Sequence, residues 1–450
     1  MRRDNRNAPA IFSHPQCISV RIEPGLVEPG TIREKYSLEE LIVARDRLNA
    51  AKDLLDPIYI EAQRDQTYGR AWAQFQGVID VYKGMRREIE RVYHGQHVSN
   101  AYMKYWELYS QFNIVPREMA DGRPYIAFFN AELPGAALCA FNHFMHAMRP
   151  EVKFDWRAAS LVPSAITKNA RDALGDRYGL WESNREKWLM DVVTTPKDGG
   201  TSVDKPENQT VRTSKDALSS NDGDATKRAN LEDFARRVGP VSKFGGADLY
   251  SHDAGIDVST GDDGGLGFNN QELANARIHL GCALAGFMTL RLGGNFIAKQ
   301  YTFFETVTWN LIVIYATMFD AFYICKPVTS RPHNSEIYLV GLGFRGMPTQ
   351  TADVLLARLQ DWNELPLIEA GAISPALRAS LARFTRIIFD KQAALIRNNV
   401  ALFNTWKTRV HELQKATAGA AYARHTEWFR ANPMKMLQDR DQLASSEQHH

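Results

Sequence analysis

The pattern of hydrophobic and polar residues divides the 450-residue chain into three parts. Apolar residues recur at helical spacing in an N-terminal part and again in a C-terminal part. The central part alternates short apolar runs with longer helical patterns. We place the boundaries at residues 1–98, 99–347 and 348–450, which gives a central domain with a helical extension on each side.

The N-terminal extension carries a helix signal in "SLEELIVARDRLNAAKDLL". Ser37 opens this stretch, and Glu40 follows three residues later, which is the spacing of a capping box. Apolar residues then follow at helical intervals. The stretch shows no residues that suggest chemistry, so we interpret it as a structural extension.

The central part has the pattern of an α/β fold. Its predicted strands are "YIAFF", "VKFDWRAASLV", "ADLYSHDAG", "NFIAK", "AFYICKP" and "EIYLVGLGF". The helices predicted between them are "PGAALCAFNHFMHAMR", "NNQELANARIHLGCALAGFMTL" and "FFETVTWNLIVIYATMF". This alternation favours a doubly wound, mostly parallel sheet with helices on both faces. A polar stretch at about 192–221, rich in turn-forming residues, is predicted to be a mobile surface insertion.

Composition adds few constraints. The formal net charge of +2 argues neither for nor against a nucleic-acid partner. Four cysteines without a CxxC pair suggest a reducing compartment, with no disulfide framework and no zinc site. The N-terminus lacks the apolar core of a signal peptide, and the longest apolar run is about half of what a membrane crossing needs. We therefore expect a soluble, intracellular, cytoplasmic protein.

The C-terminal part is locally basic. The stretch between Ser374 and Arg430 contains ten Arg or Lys residues but only three Asp or Glu residues. A solvated helix surface would account for this bias. A flank that contacts the phosphates of a nucleic acid would account for it equally well.

Charged residues lie at the predicted ends of the central strands. Lysine is rarely buried without a partner, yet Lys299 ends the buried run "GGNFIAK". Asp253 ends another strand, and Glu336 precedes the last one. Ligands of open parallel sheets bind beyond the carboxyl ends of the strands, so these three groups are expected at one rim. Such a cluster can shift the pKa of the amine, although each charge alone could be an ordinary ion pair.

The first central strand ends in "NAELPGA". Gly135 and Ala136 allow a ligand to approach the backbone, and Pro134 forces a sharp turn. Glu132 places an acid beside that turn, and the G-x-G-x-x-G dinucleotide pattern is absent. Taken alone, the motif favours a tight strand–helix turn over a ligand site.

Five motifs carry a resemblance to a known family: "SNAYMKYWEL", "ELPGA", "LYSHDAG", "GGNFIAK" and "SRPHNSE". The sequence resembles the FtsJ/RrmJ-type RNA ribose 2′-O-methyltransferases, and most closely their viral mRNA cap branch. That family has a Lys–Asp–Lys–Glu tetrad in this chain order. The resemblance implies a Rossmann-like fold and a catalytic tetrad of Lys104, Asp253, Lys299 and Glu336. It covers roughly residues 99–344.

The resemblance also implies the cofactor S-adenosyl-L-methionine. The family's cofactor turn matches "ELPGA", and "NDGDAT" matches a segment that contacts adenosine. Ser160 stands where the family often has an acid after the second strand. The implied cofactor-binding residues are Glu132, Leu133, Pro134, Gly135, Ala136, Ser160, Asp224 and Asp253.

The implied activity is ribose 2′-O-methylation of capped mRNA. Lys299 would act as the base or steer the 2′-oxygen. Asp253 would orient the Lys299 amine, and Lys104 and Glu336 would form a supporting pair. A ribosomal or transfer RNA 2′-O-methyltransferase and a non-catalytic RNA-binding subunit are the alternatives. The implied partner is the capped 5′ end of mRNA; a capping-enzyme partner or a second copy of the chain is left open.

Aromatic residues could form a pocket that stacks on the cap guanine. The candidates are Tyr301, Phe303, Phe304, Trp309 and Trp181. Aromatic residues at helical spacing are more often part of a core.

Overall fold

A computed structural model describes residues 17–25, 27–116, 119, 122–163, 170–194, 202–204, 221–239, 245–256, 267–331 and 333–444. Its strands are β1 (Ile18–Arg21), β2 (Tyr125–Asn130), β3 (Phe154–Ala159), β4 (Val192–Thr194), β5 (Ser202–Asp204), β6 (Ala247–His252), β7 (Leu290–Gln300), β8 (Phe319–Lys326) and β9 (Ile337–Phe344).

Helices surround these strands. They are α1 (Glu39–Lys52), α2 (Asp56–Arg64), α3 (Gln66–Ile79), α4 (Met85–Tyr93), α5 (Asn100–Gln111), α6 (Ala136–Met148), α7 (Ala170–Leu174), α8 (Leu180–Ser183), α9 (Arg228–Val238), α10 (Gln271–Thr289), α11 (Thr306–Ala316), α12 (Thr349–Gln360), α13 (Pro375–Trp406) and α14 (Val410–Ala431). None of the helices in the described residues is long and apolar enough to cross a membrane.

The main sheet has the strand order β1-β8-β9-β7-β6-β2-β3. Strands β3, β2, β6 and β7 are parallel, whereas β9 runs antiparallel between β7 and β8, and β1 pairs antiparallel with β8. All residues of β2 and β6 are buried, as expected for parallel strands that are covered on both faces. The predicted α/β, Rossmann-like fold class is confirmed.

Alternate residues of β2 separate the two layers of the core. Ile126 and Phe128 pack with buried residues of α1, α10, α11 and α13 on one face. Ala127 and Phe129 pack with buried residues of α5 and α6 on the other. The aromatic residues considered for a cap pocket are all buried, and Trp309 lies in the first of these layers.

The predicted strands and helices of the central part are all present, and β7 is longer than predicted. It begins at Leu290, because Gly293 and Gly294 continue the strand instead of preceding it. Gly293 has a φ of +76°, and a side chain on Gly294 would come within 3.0 Å of the Ala247 carbonyl oxygen. Glycine is therefore required where β7 passes close to β6.

The start of the chain differs from the prediction in two ways. Strand β1 adds an edge to the sheet that the helical pattern does not indicate. The capping box is wrong, since α1 begins at Glu39 after Leu38, which makes no side-chain cap. The carboxylate of Glu40 instead accepts hydrogen bonds from Arg378 of α13, at 2.8 and 3.0 Å. Glu40 therefore pairs with a distant helix and not with the start of its own helix.

Most of the predicted insertion at 192–221 lies outside the described residues. The described part includes β4 and β5, which form a separate two-stranded antiparallel sheet.

Asp248 connects β2, β6 and β7 near the beginning of β6, at the opposite end of that strand from the tetrad. Its buried carboxylate accepts two hydrogen bonds from Arg123 at 2.7 and 2.8 Å, and one from Arg291 at 2.5 Å. It also accepts from the Ile126 backbone N–H of β2 at 2.9 Å. The side chain is 1% exposed, so its charge depends on these partners.

We expect Asp248→Asn to lower the free energy of unfolding by about 3 kcal/mol or more, because two arginines would lose their shared buried counter-charge. Denaturant titration followed by circular dichroism measures this change. Asp320→Asn is the matched control. Asp320 is 72% exposed and lies 4.0 Å from Arg345, so its loss should change stability by less than about 1 kcal/mol. Equal effects of the two variants would contradict the assignment.

Candidate functional site

The four predicted tetrad residues come together at one rim of the sheet. Ser99 caps α5 by accepting a hydrogen bond from the Tyr102 N–H, and this helix carries Lys104. Glu336 immediately precedes β9, and its Oε1 accepts a hydrogen bond from the Lys104 amine. Both residues are buried, so the pair is shielded from water.

The second half of the tetrad lies on the neighbouring strands. Asp253 follows β6, and Lys299 is the penultimate residue of β7. The Lys299 Nζ lies 3.8 Å from Asp253 Oδ1 and 3.9 Å from Glu336 Oε2, and it donates a hydrogen bond to the Asp253 carbonyl at 3.4 Å. The Lys299 side chain retains 13% exposure and that of Asp253 retains 23%. A substrate can therefore reach this half of the tetrad.

Tyr338 connects the two carboxylates. It pairs with Lys299 across β7 and β9, and its hydroxyl lies 3.2 Å from Asp253 Oδ1 and 3.3 Å from Glu336 Oε1. A fully buried hydroxyl between two carboxylates fixes their separation. Sequence reasoning missed Tyr338, because only the β7–β9 pairing brings it to the rim.

The carboxylates keep Lys299 charged. Burial alone would lower the pKa of Lys299, but the negative charges of Asp253 and Glu336 raise its pKa above the ordinary value for lysine. Burial would likewise raise the pKa of Glu336, and the ammonium groups of Lys104 and Lys299 hold that pKa below its usual range. The free site thus contains an ammonium group held between carboxylates.

A third lysine supports the loop that ends in Glu336. The Lys326 amine donates to the backbone carbonyls of Asn334 and Glu336, at 2.8 and 2.7 Å, and to the Asn334 side chain at 2.7 Å. Burial lowers the pKa of Lys326 to about 7, against the opposing effect of Glu336. Sequence reasoning missed it; a lysine closing the apolar run "AFYICK" was the available signal.

Glu107 holds the beginning of the same loop. It lies three residues after Lys104 on α5 and accepts from the backbone N–H groups of Val328 and Thr329, at 2.7 and 3.0 Å. The indole N–H of Trp428, on α14, donates to the same carboxylate at 3.0 Å. The C-terminal helix is thereby joined to the segment that positions Glu336.

The predicted cofactor turn lies at the end of β2. The Ser160 hydroxyl accepts from the backbone N–H groups of Glu132 and Leu133, at 2.9 and 2.8 Å. Gly135 has a φ of +109°, and a side chain there would come within 2.2 Å of Leu180. Pro134 is exposed at the tip of the turn. The sequence thus folds into the tight strand–helix turn that "ELPGA" predicts.

One carboxyl oxygen of Glu132 accepts a hydrogen bond, and the other has no hydrogen-bond partner among the described residues. Its Oε1 accepts from the Leu138 N–H in the first turn of α6, which begins at Ala136, at 2.7 Å. The other oxygen, Oε2, is buried. Burial raises the pKa of Glu132 well above its usual value, and the charge of Asp253 adds to this effect. A donor from a ligand would satisfy this oxygen.

The Asp224 loop packs against the same turn. The Val162 N–H donates to the Asp222 carbonyl at 2.8 Å, and a side chain on Gly223 would lie 1.9 Å from the Ser160 carbonyl oxygen. Asp224 Oδ1 accepts from the N–H and hydroxyl of Thr226, at 2.9 and 2.7 Å. One of its oxygens is therefore committed to the loop, whereas Oδ2 is partly exposed and lies 3.9 Å from the Lys227 amine.

The sequence of this chain is similar to those of known methyltransferases. A family model described as FtsJ-like methyltransferase matches residues 191–344, which include Asp253, Lys299 and Glu336. The chain is 30% identical over 416 residues to the "Probable methyltransferase EP424R" of African swine fever virus, covering 92% of this chain and 87% of that protein.

Two further relatives have names that specify a substrate. The chain is 25% identical over 272 residues to the mouse "Cap-specific mRNA (nucleoside-2'-O-)-methyltransferase 2", covering 60% of this chain and 30% of that protein. It is 29% identical over 197 residues to the "Cap-specific mRNA (nucleoside-2'-O-)-methyltransferase 1" of Dictyostelium discoideum, covering 43% of this chain and 24% of that protein.

We expect Glu336→Gln to destabilise the protein by about 3 kcal/mol at neutral pH, because Lys104 and Lys299 lose a buried counter-charge. A carboxylate with a lowered folded-state pKa contributes stability above its unfolded pKa, near 4.5, and loses it as the pH falls below that value. The difference between wild type and variant should therefore shrink below about pH 4.5. Denaturant titrations from pH 7 downward measure it. Glu412→Gln, on exposed helix surface, is the control; a difference independent of pH would contradict the ion-pair assignment.

Proposed function

Because the chain belongs to the FtsJ-like methyltransferase family, we propose that it is an S-adenosyl-L-methionine-dependent RNA ribose 2′-O-methyltransferase that acts on the mRNA cap. The observation that carries this proposal is the convergence of Lys104, Asp253, Lys299 and Glu336 within one hydrogen-bonded and ion-paired cluster. The names of the two cap-specific relatives support the cap as the substrate.

The residues around the β2 turn fit the proposed cofactor. S-adenosyl-L-methionine offers amine and hydroxyl donors, and two acceptors here suit such groups: the unpaired Oε2 of Glu132 and the partly exposed Oδ2 of Asp224. Asp253 presents a partly exposed carboxylate on the side toward Lys299. Leu133, Pro134, Gly135 and Ala136 would supply backbone contacts, with Ser160 holding the turn in shape.

The proposed cofactor supplies a methyl group that its sulfonium already activates. The transfer would join the ribose 2′-oxygen to that carbon as the carbon–sulfur bond breaks, and the hydroxyl proton would pass to water on the exposed side of Lys299 and Asp253. Lys299 would position the oxygen by hydrogen bonding, with Asp253 and Glu336 fixing the direction of its amine. Its raised pKa favours this steering role in the free protein over that of a base.

An RNA with the cap and an otherwise identical uncapped RNA test the proposed substrate. We expect methyl transfer from labelled S-adenosyl-L-methionine to the capped RNA, with nuclease mapping that places the label on a ribose 2′-oxygen. Equal labelling of uncapped RNA would favour a ribosomal or transfer RNA enzyme. RNA binding without methyl transfer would favour a non-catalytic subunit.

We expect Lys299→Ala and Lys299→Arg each to reduce kcat by at least about 100-fold while the cofactor still binds. Arginine should fail because its planar guanidinium has a different shape and would not place a donor where the lysine amine lies. Single-turnover methyl transfer and calorimetry with S-adenosyl-L-methionine measure the two effects.

Lys391→Ala is the matched control, since Lys391 is exposed on α13. Substantial activity of Lys299→Arg would exclude a base role, and wild-type activity of Lys299→Ala would remove Lys299 from the mechanism.

A further inference from the structure

A groove outside the tetrad lies between α3 and α4 on one side and α14 on the other. It has a volume of about 990 Å³, at the upper end of the range for small-molecule sites. Three exposed cations line it, Arg70, Lys83 and Arg87, together with Tyr422 of α14. The two walls come from the N-terminal and C-terminal parts of the chain.

The groove has a basic lining. Arginine and lysine outnumber the acidic residues there by four to two. Arg70, Lys83 and Arg87 have no ion-pair or hydrogen-bond partner in the part of the chain that the structure describes. Cations left unpaired along a concave surface create a positive potential that attracts a polyanion.

The floor of the groove is bonded to both segments that carry the Lys104–Glu336 pair. Asp80, with a side chain 2% exposed, accepts from the Asn100 side chain at 3.3 Å and pairs with Arg331 at 3.2 Å. Asn100 lies four residues before Lys104 on the same face of α5, about 6 Å along the helix axis. Arg331 lies within the loop that ends in Glu336. The floor of the groove is therefore connected to the tetrad through Asp80 and its two partners.

Tyr422 gives the groove an exposed aromatic surface. It is 74% exposed, unlike the aromatic residues that the sequence suggested for the cap pocket, which are buried. Single-stranded nucleic acids bind to grooves that combine cations along the backbone with aromatic rings on which bases stack. The Tyr422 ring and the three cations meet both requirements.

We propose that this groove binds the single-stranded RNA that follows the nucleotide held at the tetrad. Arg70, Lys83 and Arg87 contact its phosphates, and Tyr422 stacks on one of its bases. The inference rests on the proposed function, because that function makes capped RNA the substrate. It adds a binding surface built jointly by the two helical extensions.

The test compares two triple variants that remove the same charge. One is Arg70→Gln/Lys83→Gln/Arg87→Gln in the groove, and the other is Arg383→Gln/Arg386→Gln/Lys391→Gln on the exposed face of α13. Fluorescence anisotropy measures the affinity for a capped single strand of about 12 nucleotides over a range of salt concentrations. Each phosphate contact contributes about −0.7 to the slope of log K against log salt, so the groove variant should flatten it by about 2. The α13 variant should leave the slope unchanged.

The stacking contact has its own pair of variants. Tyr422→Ala should weaken RNA binding about tenfold, whereas Tyr422→Phe should bind like wild type because the ring remains. All of these positions are exposed, so thermal denaturation should give wild-type melting temperatures.

An unchanged salt slope in the groove variant, or a flattened slope in the α13 variant instead, would overturn the proposal. The proposal would also be wrong if the groove variant lost binding to another protein while its affinity for RNA stayed unchanged. These binding measurements do not require catalysis. Flattening of the slope without methylation of capped RNA would refute the proposed function alone, and methylation with an unchanged slope would refute the groove alone.

Discussion

The buried charge cluster at the rim of the sheet is the interaction on which the other features depend. Two lysines and two carboxylates can share a largely dry site only if each charge is compensated. Lys104 reaches Glu336 from a helix that precedes the sheet, and Lys299 reaches Asp253 and Glu336 from within it. The cluster therefore fixes α5 against β6, β7 and β9. The same compensation keeps Lys299 charged, which is consistent with the steering role proposed for it.

Structural support for the cluster comes from outside the central part. Glu107 fixes the loop before Glu336 and is itself bonded to Trp428 of α14. Strand β1 completes an edge of the sheet, and Glu40 of α1 pairs with Arg378 of α13. The division at residues 98 and 347 remains a proposal about domains. Physically, the flanking helices share buried contacts with the central sheet and with each other.

Sequence reasoning performed best where the signal was local. The run "NFIAK" and the acid after "LYSH" identify strand tips, and parallel topology then brings Lys299 and Asp253 to one rim. Tyr338 and Lys326 could not be identified from the sequence. Tyr338 reaches the rim through the pairing of β7 with β9, and Lys326 contacts the backbone of a folded loop. Strand β1 has four residues and a partner about 300 residues away, so no periodicity marks it. Ser37 is not the cap because α1 begins later, after Leu38. The groove unites α3, α4 and α14, a juxtaposition that no local pattern contains.

The bond between Glu107 and Trp428 has a consequence for how the protein is made. A ribosome adds about 5–20 residues per second, so Trp428 emerges about 15 to 65 s after Lys104. Glu336, the partner of Lys104, follows it by 232 residues, so α5 carries a lysine without its counter-charge for about 12 to 46 s. Glu107 lacks its indole donor for longer. Because an unpaired buried charge is costly, we expect this helix to stay hydrated until Glu336 is available. The tetrad is complete in sequence once Glu336 has been made, and the bond from Trp428 to the helix that carries Lys104 is added only after that point.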